Sequence, residues 1–160
     1  MSKLDTGKGK TRNVENDLRE IADSISKKGH EMLSIYIGCS GCIEGFYKVG
    51  YLIWKEEGKE HVVKIDVYNK YSPVILNNSQ VNEFLLNNQS ELLKVFAESG
   101  SSKPDLMHFH YENVNINWAQ IKGSYTVYDN KAEDPDIQRF IDRIKAVLFE
   151  VEKRPNNWGM

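Results

Sequence analysis

Between Leu33 and Tyr71 the chain runs through three successive stretches in which β-branched and aromatic residues recur at every second position. A period of two is the signature of extended chain, because successive side chains of a strand point to opposite faces. Leu33, Ile35 and Ile37 alternate with Ser34 and Tyr36. From Ile43 to Glu56 the odd positions include Ile43, Tyr47, Val49, Tyr51 and Ile53, while the even ones include Glu44, Phe46, Lys48, Leu52 and Trp54. After the turn signal Glu57-Gly58, the odd residues Val63, Ile65 and Val67 oppose Lys64, Asp66 and Tyr68. Strands joined by connections this short pair antiparallel, so the sheet is expected to be mainly antiparallel.

Helical periodicity brackets this core. Asn13 is a plausible N-cap, followed by Val14, Leu18, Ile21 and Ile25 on one stripe, with Lys27 and Lys28 near the dipole's negative end and Gly29 as terminator. Ser79 is read as the cap of a helix carrying Val81, Phe84 and Leu85, and Ser90 as the cap of a continuation with Leu92, Leu93 and Phe96. Asp134-Pro135 opens the last helix, whose stripe is Ile137, Phe140, Ile141, Ile144, Leu148 and Val151. Between them, Met107, Phe109 and Tyr111 form one apolar row and Val114, Ile116 and Trp118 another, of opposite parity. The slip implies a β-bulge or a turn near Glu112-Asn113. Ile121, Tyr125 and Val127 read as a further strand.

The fold expected is a single α+β domain over residues 13–155: an antiparallel sheet of about five strands with helices packed mostly on one face. Residues 1–12 read as a flexible basic tail and 156–160 as a short C-terminal tail. Lys3, Lys8, Lys10 and Arg12 stand against Asp5 there, in a chain whose formal net charge is -2. That balance supplies no field for nucleic acid or an anionic membrane. No apolar run approaches the ~20 residues of a membrane span. The N-terminus lacks the apolar centre of a secretory signal. A cytoplasmic location is therefore expected, where a structural disulfide is unusual.

Gly7-Lys8-Gly9-Lys10-Thr11 resembles the end of a phosphate loop, but the pattern requires Gly where Leu4 stands. Cys39 and Cys42 have the spacing of a zinc-binding pair, and His108 and His110, two apart on a strand, share a face. A Cys₂His₂ zinc site is thus the metal alternative; otherwise no cofactor is expected. Redox chemistry is disfavoured because strand-like sequence follows Cys42, where a thiolate-stabilising helix would be needed. No nucleophile elbow or zinc-protease motif appears, so no catalytic residue is assigned. A catalytic site dispersed over distant residues is the other alternative.

If the face opposite Val63, Ile65 and Val67 is open, it carries Phe46, Lys48, Trp54, Lys64, Asp66, Tyr68 and Tyr128. Aromatic residues among mixed charges are what protein interfaces use. The expectation is a non-catalytic binding module whose partner is another protein or a second copy of the chain. In size, acidity and lack of motifs it resembles bacterial immunity proteins, and that resemblance implies a toxin domain as partner.

Overall fold

The computed structural model describes residues 13–40, 48–76, 78–97, 109–129 and 134–152. In chain order the elements are α1 (Val14–Lys27), β1 (Met32–Ser40), β2 (Val49–Glu56), β3 (Lys59–Asp66), β4 (Val74–Leu76), α2 (Gln80–Asn87), α3 (Gln89–Ala97), β5 (Phe109–Trp118), β6 (Ile121–Tyr128) and α4 (Pro135–Glu152). The six strands form one antiparallel sheet in the order β4-β3-β2-β1-β5-β6. The sixth strand beyond the expected five is β4, whose three residues are too few to show a period.

Local chemistry sets the ends of the elements. The Asn13 side chain accepts the Asn16 backbone N–H at 3.0 Å and starts α1. Gly29, at φ 81°, lets the chain turn so that the N–H groups of Gly29 and His30 bond back to Ser26 and Ile25. Asp134 caps α4 by accepting the Asp136 N–H at 2.8 Å, with Pro135 as first helical residue. The other two caps differ from expectation. Ser79 occupies the N-cap of α2 but makes no side-chain cap bond. Glu60 of β3 instead accepts the N–H groups of Val81 and Asn82, at 3.2 and 2.7 Å. Ser90 lies inside the first turn of α3, which begins at Gln89.

The sheet has cover on both sides. Helices α2, α3 and α4 pack on one face, against Leu33, Ile35, Ile53, Val62, Val114, Ile116, Trp118, Ile121 and Val127. Helix α1 packs on the other, where Val14, Leu18 and Ile25 meet Tyr36, Leu52, Trp54, Val63 and Ile65. Each fully buried aliphatic side chain contributes about 1.5–3 kcal/mol. Double cover explains why both parities of β2 are apolar.

It also explains the parity change in β5. The register with β1 is continuous from Met32↔Asn117 to Ser40↔Phe109, so β5 has neither bulge nor turn at Glu112-Asn113. Phe109 and Tyr111 serve the α1 side, and Val114, Ile116 and Trp118 serve the three-helix side. Glu112 stands where an apolar residue would continue the second row; it is buried and pairs with Lys145 of α4.

Candidate functional site

Helix α1 lies over β1, β2 and β3. On the same side, β5 and β6 present Asn113, Asn115, Asn117, Lys122, Ser124 and Thr126. The register aligns these groups in rows across the strands: Ser34–Asn115–Ser124, Tyr36–Asn113–Thr126 and Met32–Asn117–Lys122. Their amides are locked together. Asn113 Nδ2 donates to Thr126 Oγ1 at 2.9 Å and to Ser124 Oγ at 3.2 Å, and Asn115 Nδ2 donates to Asn113 Oδ1 at 2.7 Å. The result is a polar ledge beside a helix, preorganised by its own hydrogen bonds.

Where the ledge meets α1 there is a groove of about 320 Å³. Its helix wall carries Glu15, Arg19 and Asp23, its sheet wall Asn113 and Asn115, and its floor Met32, Ser34 and Tyr36. The charged residues come at four-residue spacing and so stand on one helix face. At one end the ledge rises into an aromatic cluster. The ring centroids of Tyr36 and Tyr111 are 5.9 Å apart, those of Phe109 and Tyr111 6.1 Å, and those of Phe109 and Tyr128 5.4 Å. Gly38 permits this packing, because a Cβ there would come within 2.9 Å of the Tyr111 ring. Burial, then the neighbouring Tyr111 and Glu15, push the Tyr36 phenol well above its ordinary value. It stays protonated through the physiological range.

The residues expected to form one open face are divided by the observed register. Trp54 lies opposite His61, whereas Lys64 lies opposite Tyr51, so Trp54 and Lys64 project from opposite faces. The error lay in joining the even positions of β2 to the even positions of β3; the ladder joins even to odd. Trp54 is buried under α1, stacked on His61 at 5.2 Å, and its Nε1–H donates to Glu56 at 3.0 Å. Lys64 sits over the Tyr71 ring, 5.2 Å from its centroid. Asp66 accepts the backbone N–H groups of Tyr68 and Asn69 and the Tyr71 hydroxyl, each at 2.9 Å. Those contacts shape the β3–β4 connection. Tyr68 is 57% exposed on it, and Lys48 is exposed just before β2. Tyr128 belongs to the aromatic cluster of the ledge, four strands along from β3 and therefore about 19 Å from it. Phe46 lies outside the described residues.

The zinc quartet is partly visible. Cys39 and His110 are directly opposite each other in the β1–β5 ladder. Cys39 is held in a disulfide, contrary to the expectation drawn from compartment alone. Cys42 and His108 lie outside the described residues. Among the described residues, no three His, Cys, Asp or Glu side chains gather into a metal site. No described helix is long and apolar enough to cross a membrane.

Of the ledge, the open face expected from sequence includes only Tyr128. It missed Ser34, Asn113, Asn115 and the α1 wall. The spacing of Asn113, Asn115 and Asn117 between Val114, Ile116 and Trp118 was the available signal. Comparison with known proteins gave no match to a family model, to a curated protein or to a solved structure.

Proposed function

We propose that this chain is a non-catalytic protein-binding domain that docks its partner on the β5–β6 ledge and the adjoining face of α1. The observation that carries this reading is the uneven cover of the sheet: α1 shelters β1 to β3 and leaves the rows of β5 and β6 beside it exposed. A row of amides and hydroxyls ending in tyrosines offers directional hydrogen bonds next to aromatic anchors, the combination that interfaces use. Area sets a further requirement. Two strands of about eight residues cover only about 250 Å², whereas a standard interface takes about 800 Å² from each partner. The partner must therefore also lie across α1, where Glu15, Arg19 and Asp23 alternate in sign and give electrostatic register. In its specific form the reading is an immunity-type protein acting in the cytoplasm, with a toxin domain covering this surface.

The test is affinity capture from cells that make the protein. Asn115→Arg with Thr126→Arg places two long cations on the ledge, and Lys94→Glu on exposed α3 serves as control. Loss of one specific partner by the folded double variant, with retention by the control, supports the reading. Equal capture by all three proteins removes the ledge from the interface.

A further inference from the structure

We infer that the groove between α1 and β5 is a binding site for a small zwitterion of the free α-amino acid class. Three observations converge on it, and none depends on the protein partner proposed above. The first is charge. Arg19 has Glu15 four residues before it and Asp23 four residues after it, a spacing at which helical ion pairs ordinarily form. Among the described residues its guanidinium pairs with neither, and its contact is a long 3.4 Å bond to Asn16 Oδ1. The groove therefore holds a cationic fork and two carboxylates that form no ion pair among the described residues. A guanidinium takes a carboxylate through parallel N–H bonds, and a carboxylate takes an ammonium. An α-amino acid carries both groups a few Å apart, on the scale of the ~5–6 Å between the Cβ atoms of successive residues along this wall.

The second observation is an unsatisfied buried hydroxyl. Ser34 is 4% exposed and lines the groove floor. Its hydroxyl has no hydrogen-bond partner among the described residues. Buried polar groups are nearly always paired, and an orphan of this kind needs a ligand or a water. Directly across the ladder from Ser34, Asn115 donates its amide nitrogen to Asn113, and its Oδ1 accepts no bond among the described residues. Ser34 can donate to a ligand carboxylate, and Asn115 can accept from a ligand ammonium.

The third is size. About 320 Å³ lies at the lower end of small-molecule pockets and suits a ligand of amino-acid dimensions. The floor adds the apolar flank of Met32 and the ring of Tyr36, surfaces for a short side chain.

The experiment is thermal denaturation and ¹H–¹⁵N spectroscopy of the full chain with each of the standard free amino acids at millimolar concentration. Acetate and methylammonium serve as single-charge probes. At least one amino acid is expected to raise Tm and shift the Asn115 side-chain amide, while neither single-charge probe does so. Arg19→Ala should weaken that binding about tenfold or more, the loss of one charge-assisted hydrogen bond. Ser34→Ala should weaken binding while leaving the unliganded protein as stable as before or more so, since it removes an unpaired buried hydroxyl. A purely structural Ser34 would instead lower stability. Silence of Asn115 toward every amino acid, or undiminished binding by folded Arg19→Ala, overturns the assignment.

Discussion

Glu60 accepts a 2.7 Å hydrogen bond from the backbone N–H of Asn82, 22 residues further along the chain. With its second bond, to Val81, it performs the capping that the Ser79 side chain leaves undone and ties α2 to β3. Glu60 is almost wholly buried, so its removal leaves helix-start amides without a partner. Glu60→Ala is expected to lower stability by about 1–3 kcal/mol in urea denaturation. Ser79→Ala should cost much less.

The same carboxyl predicts a pH dependence. Burial raises its pKa above the ordinary glutamate value, against the pull of the Asn82 and Val81 amides. A raised folded-state pKa gives a contribution that is complete below the unfolded value and is lost as pH rises through the folded one. Glu60→Gln abolishes that loss. Its stability relative to wild type should therefore improve as pH rises from about 4 toward neutrality. A flat difference over that window contradicts the account.

Asp66 behaves in the opposite sense. Burial works against its charge, but the Asn69 and Tyr68 amides, the Tyr71 hydroxyl and Lys64 outweigh that and hold its carboxyl below the ordinary value. Its contribution is present above the unfolded pKa and is lost as pH falls through the folded one. Asp66→Asn should cost about 1 kcal/mol at neutral pH, a modest figure because the site is partly solvated. The difference from wild type should shrink on acidification below about pH 4.

The β5–β6 turn and the strand after it carry unusual backbone. Ala119 and Gln120 join β5 to β6 with φ 54° and 66°, angles that favour glycine or asparagine. The turn is held from outside: Glu31 Oε2 accepts the Ala119 N–H at 2.8 Å, and Gln89 Nε2 donates to the Ala119 carbonyl. Because Gln120 is exposed, Gln120→Gly should stabilise the protein by about 0.5–1 kcal/mol. Gly123→Ala should do the reverse, by about 1–3 kcal/mol, since its Cβ would stand 2.8 Å from the Phe96 carbonyl oxygen beneath α3. Both are read from thermal midpoints.

These elements show what could be read from residues alone. Helices α1 and α4 were legible because cap, stripe and terminator agree over a few turns. The alternation of β3 was equally plain. The faces of the sheet were not, because α1 covers what a one-sided scheme leaves open. Leu52 and Trp54 are as buried as Ile53, and only the ladder to Val63 and His61 says which neighbours share their side. The apparent break in β5 arose from Glu112, whose compensating charge, Lys145, lies on a helix 33 residues later. The ledge escaped notice for the same reason: Ser34, Asn115 and Ser124 become one row only once the register is known.

The most direct test of the ledge as a docking surface is photo-crosslinking in the cells that make the protein. Benzoylphenylalanine is placed at position 115, at position 126 and, as control, at position 94. The account predicts one discrete protein adduct from both ledge positions and none from position 94. Adducts from position 94 with none from 115 and 126, or no adduct from any position, would contradict it.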